Sequence, residues 1–211
     1  CDTVQKTAVL PARRFERIGS PDGFTVVSDY SHHPVEIAAL VQTALTLPHK
    51  RLLAVFQPHR YSRTRTLLRS FPDAFKGVDD LVLCPVYCAS ECPLCGGESS
   101  DLYAAFRAEA VGDVGIPIPI LAKSLETASR YIRAIVQPGD VVLVIGAGDV
   151  NSIAPQIAAA TPRATPPQEL RMGAFGTESL ATDFIAVRTL EALREAVRDG
   201  AFSVIGGGTN S

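Results

Sequence analysis

DVVLVIG, residues 140–146, sets five apolar side chains in a row between an aspartate and a glycine. A strand with one face in water alternates apolar and polar residues. A run without alternation fits a strand covered on both faces, as in parallel sheets. Working outward, FTVVS (24–28), RLLAVF (51–56), DLVLCPV (80–86) and IPIPIL (116–121) are further strand-like runs. Pro117 and Pro119 remove ladder donors from the last, which predicts an edge or truncated strand. Helical patterns separate these runs, at 34–47, 64–75, 101–110, 124–136 and 150–160. In the first, Pro34 suits the opening helical position, and Ile37, Leu40, Val41 and Ala44 make one apolar stripe. Repeated β–α alternation predicts an α/β fold, a mainly parallel sheet with helices on both faces, over residues 1–160.

TPRATPPQ (161–168) breaks the alternation with its three prolines and reads as extended chain, so a linker is expected over 161–171. After it, ATDFIAV (181–187) reads as a strand, 190–198 as a helix, and FSVIGGGTN (202–210) as a strand entering a glycine loop. About 40 residues cannot bury a stable core alone, so 172–211 reads as the opening of a second domain. The first residue is Cys1, the single methionine is Met172, and the last residues fall inside a glycine motif. The chain is therefore expected to be a piece of a longer protein.

The 211 residues carry a formal net charge of -2, with 46% hydrophobic and 20% charged residues, the balance of an ordinary soluble domain. Nothing in it favours bulk attraction to nucleic acid or a membrane, so any anion site must come from a local cluster. No apolar run reaches the roughly 18 residues of a membrane span, and residues 1–5 lack the basic start of a secretory leader. A cytoplasmic location is expected. The cysteines are Cys1, Cys84, Cys88, Cys92 and Cys95, an odd set with no disulfide framework. CASECPLC (88–95) has C-x3-C-x2-C spacing. It reads either as three ligands of a zinc or iron–sulfur site or as free thiols in a loop. The missing second C-x2-C pair favours the thiols.

In an open parallel sheet, ligands bind beyond the carboxyl ends of the strands. The loops there are 28–33, 57–63, 86–99 and 146–151. SDYSHHP (28–34) brings Asp29, Tyr30, His32 and His33 to the first of them. Asp29 suits a ribose diol, and Tyr30 and His32 suit a carboxylate or phosphate. The competing reading is that His33 or Asp29 caps the helix beginning at Pro34. QPHRYSRTR (57–65) brings His59, Arg60 and Arg63 to the second. On a helical backbone Arg60 and Arg63 share a face and make a carboxylate or phosphate clamp; the alternative is a solvated basic face. IGAGD (145–149) permits close backbone approach but lacks a third glycine, and there is no phosphate loop of the G-x-x-x-x-G-K-[ST] type. GGGTN (206–210) suits either a pyrophosphate nest or a plain turn.

RRFERIG (13–19), VVSDYSHHPVEI (26–37), AVFQPHRYSRTRTLL (54–68) and PGDVVLVIGAGDV (138–150), in this order, resemble the C-terminal domain of the Mur ligases, most of all their alanine-adding branch. The likeness covers residues 8 to 160. It departs at Ser28, where that branch has an acid, and in the cysteine loop. The resemblance implies a Rossmann-like domain that closes over a site shared with two others, one holding UDP-N-acetylmuramate and one carrying the phosphate loop and Mg. It implies ligation of L-alanine to UDP-N-acetylmuramate, with ATP split to ADP and phosphate by way of an acyl phosphate. It also implies ATP contacts at Arg14 and Asp29, and an alanyl pocket of Tyr30, His32, His59, Arg60 and Arg63. Residues 173–211 resemble the start of a second family, the UDP-N-acetylenolpyruvoylglucosamine reductases. That likeness implies FAD held at Gly207, Gly208, Thr209 and Asn210, with NADPH as reductant, and hence a ligase–reductase fusion. A different class stays open beside these: a stand-alone α/β module that binds a nucleotide or amino acid without catalysis.

Overall fold

The computed structural model describes residues 13–19 and 22–161, and the backbone of residues 171–172 and 179–180. The chain divides into two units, Cys1–Ala164 and Thr165–Ser211. In the second, β7 (Arg171–Met172) and β8 (Ser179–Leu180) pair antiparallel. The linker expected over 161–171, the strand and helix expected at 181–198, and Gly207, Gly208, Thr209 and Asn210 lie outside the described residues, apart from Thr161 and the backbone of Arg171.

The first unit is built on a six-stranded sheet of order β1-β2-β6-β3-β4-β5. Its strands are β1 (Glu16–Ile18), β2 (Thr25–Asp29), β3 (Leu52–Phe56), β4 (Asp80–Leu83), β5 (Ile120–Leu121) and β6 (Val141–Ile145). Only β1 runs antiparallel, against β2; every other pairing is parallel. β6 lies between β2 and β3, with Val142 opposite both Val26 and Leu53. All five residues of β6 are buried, as its unbroken apolar run requires.

The two faces follow the period-2 rule of a strand. Val27, Ala54, Phe56, Leu81, Leu83, Leu143 and Ile145 point to one face. Val26, Leu53, Val55, Val82, Val142 and Val144 point to the other. Three helices cover the first face: α1 (Pro34–Leu45), α3 (Phe71–Ala74) and α4 (Ser99–Ala110). α5 (Leu125–Ile135) and α6 (Ala154–Ala158) cover the second. Chain direction explains this division. From β2 through β3 and β4 to β5 the sheet is crossed one way, and right-handed connections keep those helices on one face. The step from β5 back to β6 reverses direction, so α5 must pack opposite. Phe56, Phe71, Phe75 and Phe106 knit the first face, with ring centroids 5.2–5.7 Å apart.

Two helix expectations need correction. The helix read over 64–75 is two helices, α2 (Tyr61–Thr66) and α3, joined by a 3-10 turn at Leu68–Ser70. Pro72 has no N–H, and its ring would strike the carbonyl of Leu68 in a continuous helix. The last helix is likewise shortened, a 3-10 turn at Val150–Ile153 preceding α6, which starts beside Pro155. The strand read over 116–121 is β5, short and at the sheet edge as its prolines predict, with Pro117 and Pro119 outside it.

At the amino edge of the sheet, Arg51 donates to both oxygens of Asp140 at 3.1 and 2.5 Å and to the carbonyl of Ile135 at 2.8 Å. Asp140 also accepts from the backbone N–H of Gln137 at 2.8 Å. This pair ties the turn before β6 to the start of β3. Because β2, β6, β3 and β4 are neighbours, the loops that follow them meet at the opposite, carboxyl edge.

Candidate functional site

The first loop of that edge is set by Asp29, at the end of β2. Its carboxylate accepts from the N–H of Phe15 at 2.7 Å, from the N–H of Ser31 at 2.8 Å, and from the Ser31 hydroxyl. Asp29 is 6% exposed, so its charge is spent on fixing this turn. The capping expectation holds for His33. It is the N-cap of α1, its Nδ1 accepts the N–H of Val35 at 3.4 Å, and Glu36 returns a bond to complete a capping box. Glu36 accepts from the N–H groups of His32 and His33 at 3.2 and 3.3 Å, and Arg14 lies 4.0 Å from it. Burial raises the Glu36 carboxyl, but these N–H groups and the nearby His32 and Arg14 outweigh it and hold it below the ordinary value.

The second loop is held by an unusual backbone. Arg60 has φ +71° and ψ 134°, a region that side chains rarely occupy. Its N–H donates to the carbonyl of Tyr87 at 2.9 Å, and the N–H of Tyr87 donates to Pro58 at 2.8 Å. That exchange forms a short parallel bridge between His59 and Tyr87. The carbonyl of Arg60 then accepts the first bonds of α2, from the N–H and hydroxyl of Thr64. The strained turn therefore launches α2 with Arg60 and Arg63 beside each other.

The rings form a chain across the two loops. Tyr30 meets His32 edge-on at 5.6 Å, His32 lies 5.7 Å from His59, and His59 stacks on Tyr87 at 5.4 Å. The Nδ1–H of His32 donates to the carbonyl of Tyr30 at 3.0 Å. Arg63 donates to Nδ1 of His59 at 3.4 Å, which requires a neutral imidazole there. Burial lowers the His59 pKa, and Arg63, His32 and Arg60 lower it further. The unfolded chain then takes up a proton that folded His59 refuses. Stability is full above the unfolded value and falls as the pH drops from about 6.5 towards the folded pKa. In thermal melts, His59→Gln is expected to flatten the decline of Tm between about pH 7 and pH 5; an unchanged decline would show that His59 contributes nothing to it.

An open depression of about 370 Å³ lies against α2, lined by His33, Arg60, Ser62, Arg63, Thr66 and Leu67. Arg60 is exposed and Arg63 half-buried. The basic pair thus lines a concave surface. Tyr30, His32 and His59 stand beside it, and Arg14 lies near Tyr30, its guanidinium 5.7 Å from that ring. The edge gathers every residue of the expected ligase site, although Asp29 is covered.

Three residues not singled out beforehand organise this edge. Arg13 donates to the carbonyls of Gly146 and Gly148 at 2.7 and 3.1 Å, with its guanidinium 4.8 Å from the Tyr30 ring. Gln57, 4% exposed, donates to Asp149 at 2.7 Å and accepts from the N–H of Val150 at 3.2 Å. Glu91, from the cysteine loop, accepts from the N–H and hydroxyl of Ser62 at 3.0 and 2.6 Å. Gly97 closes the same loop; a Cβ there would stand 2.3 Å from the carbonyl oxygen of Tyr61. Gly97→Ala is expected to destabilise the domain by about 1–3 kcal/mol, read as a lower urea midpoint with unchanged slope. An unchanged midpoint would mean that the loop does not seat on α2.

Cys88, Cys92 and Cys95 are exposed and free, and Cys84 is buried. Among the described residues, no three His, Cys, Asp or Glu side chains converge to hold a metal, so the zinc reading of the cysteine loop has no ligand set. No described helix is long and apolar enough to cross a membrane.

The glutamate ligase domain model of the Mur ligases matches residues 13–148. A UDP-N-acetylmuramate–L-alanine ligase of Anaeromyxobacter is 44% identical over 146 residues, 69% of this chain and 30% of its own length. One from Nitrosomonas eutropha is 40% identical over 159 residues, 72% of this chain and 33% of its own. The chain thus spans about a third of the curated relatives it matches. Among solved structures, a murein peptide ligase from Psychrobacter arcticus superposes with a TM-score of 0.57 at 19% identity, covering 73% of this chain and 31% of that one. A UDP-N-acetylmuramate–alanine ligase from Thermotoga maritima gives 0.51 at 24%, covering 69% and 29%. These two likenesses bear on the fold.

Proposed function

This chain belongs to the Mur ligase family, and from that membership we propose that residues 13–161 form the acceptor-binding domain of a ligase joining L-alanine to UDP-N-acetylmuramate as ATP is split to ADP and phosphate. The observation that carries the reading is the depression beside α2, which Arg60 and Arg63 both line. Two forked guanidiniums at one concave surface match a carboxylate. The relatives named for the alanine reaction, at 40–44% identity, support alanine as the owner of that carboxylate.

In this reading Arg63 grips the alanine carboxylate and His59, neutral, fixes its guanidinium. Arg60 supplies the second charge from its strained turn. Tyr30 and His32 wall the pocket on the side of α1 and orient the amine. Gripping the carboxylate aligns the amine for attack, which is catalysis by positioning. Arg14, with its side chain 45% exposed, is free to reach an ATP phosphate. Asp29 has both oxygens engaged, so it serves the nucleotide side by fixing Phe15, and with it Arg14, one residue earlier. The described residues hold no carboxylate cluster for Mg, which falls to the rest of the ligase. For residues 172–211 the proposal keeps the reductase reading, with Gly207, Gly208, Thr209 and Asn210 around the FAD pyrophosphate and NADPH as reductant. Its support is the sequence order of a strand-like apolar run and then GGGTN.

The test is to put residues 13–161 in place of the equivalent region of the Anaeromyxobacter relative and follow phosphate release. The expected result is release that needs ATP, UDP-N-acetylmuramate and L-alanine together. A cooperatively melting chimera that releases no alanine-dependent phosphate would favour a binding module without catalysis.

A further inference from the structure

The C-x3-C-x2-C loop between β4 and α4 is unused by the ligase reading. We propose that Cys92 and Cys95 form a redox-active dithiol, a modification site whose oxidation to a disulfide loosens the loop's grip on the first turn of α2.

Both thiols are exposed, and only Pro93 and Leu94 separate them. C-x-x-C is the spacing of thiol pairs that cycle between dithiol and disulfide in reducing compartments. Their position gives the cycle a consequence. Glu91 immediately precedes Cys92 and holds the N–H and hydroxyl of Ser62 at 3.0 and 2.6 Å. Gly96 and Gly97 immediately follow Cys95. Gly97 packs on the Tyr61 carbonyl, and a Cβ on Gly96 would lie 3.5 Å from the stem of Arg65. The two contacts by which the loop grips α2 therefore flank the two sulfurs. Tyr61, Ser62 and Arg65 are held at helical spacing, so closing a ring across residues 92–95 shifts one contact against the other. Glu91, held by exposed hydrogen bonds at the helix start, is the contact that yields. Gly97 is buried against the backbone.

The chemistry needs a disulfide donor, for which a small-molecule disulfide such as oxidised glutathione suffices. One thiolate attacks it, releasing a glutathione thiolate and forming a mixed disulfide. The second thiolate displaces the remaining glutathione. The two cysteines lose two protons and two electrons, and the donor leaves as two thiols. Cys84 is no competitor: burial pushes its thiol up to about 12, leaving almost no thiolate. A weaker hold on a carboxylate at Arg60 and Arg63 would follow in the oxidised form. That consequence rests on the ligase reading, whereas the thiol chemistry and its coupling to α2 do not.

The test equilibrates this chain in glutathione redox buffers, alkylates it, and reads peptides by mass spectrometry. In parallel, amide exchange at Ser62 is followed by NMR. Cys92 and Cys95 are expected to lose alkylation together, reversibly, while Cys88 stays alkylated. Ser62 exchange is expected to quicken about tenfold on oxidation as its charge-assisted partner leaves. Cys92→Ser and Cys95→Ser should abolish both effects, and Cys88→Ser neither. The proposal is overturned if Cys92 and Cys95 stay reduced across the buffer range, or if the disulfide forms through Cys88. It is equally overturned if Ser62 exchange is the same in both forms. Alanine-dependent phosphate release appears in none of these readouts, so a failed ligase reading would be seen separately.

Discussion

Arg63→Ala, introduced into the ligase chimera, raises the KM for L-alanine by about 30- to 100-fold, the cost of one charge-assisted contact of about 2–3 kcal/mol. The direction follows from placement. Arg63 is half-buried, lines the depression and rests on neutral His59, so its guanidinium is held in one orientation. Alanine has few other handles, since its side chain is one methyl group. The KM for UDP-N-acetylmuramate should stay unchanged. Arg60→Gly separates charge from backbone at the neighbouring position. Glycine accepts φ +71° without strain, so the fold should keep or gain stability while alanine binding weakens. Equal KM values for alanine in the wild type and Arg63→Ala would remove the clamp from the mechanism.

Arg51→Ala lowers the unfolding free energy by about 3–5 kcal/mol, the largest loss expected outside the apolar core. Removing the guanidinium leaves Asp140, with its side chain 1% exposed, facing the sheet without its counter-charge. It also strips the donor from the carbonyl of Ile135. The remaining bond from Gln137 does not neutralise the carboxylate. Arg51→Ala with Asp140→Asn should recover part of the loss, because the stranded charge is gone. The check is urea unfolding of the single and double variants. A double variant no better than the single would show that the cost lies in packing rather than in the buried charge.

The strands were legible where burial on both faces wrote an unbroken apolar run, as in β3 and β6. β1 was not legible, because it is three residues long and two of them are exposed. Strand order was hidden for a different reason. Nothing local in residues 141–145 says that they pair with both β2 and β3, and that insertion sets the two histidine and arginine loops on either side of the loop after β6. Helix boundaries failed at Pro72, where apolar periodicity outlasts the backbone's ability to stay helical. In the site, the clustered histidines and arginines advertised themselves by composition at strand ends. Arg13 did not, because its partners are carbonyls 133 and 135 residues away. Gln57 and Glu91 were hidden likewise: one polar residue reveals a role only when the fold supplies its partner.

The most direct measurement is the ratio of kcat/KM for L-alanine to that for L-alaninamide, in the chimera with and without Arg63→Ala. The amide keeps the attacking amine and the methyl group and loses only the carboxylate charge. A preference for alanine of about 100-fold or more, falling by about tenfold or more in Arg63→Ala, is the result expected of a carboxylate clamp at Arg60 and Arg63. A preference that survives Arg63→Ala undiminished, or no preference in the wild type, would contradict it.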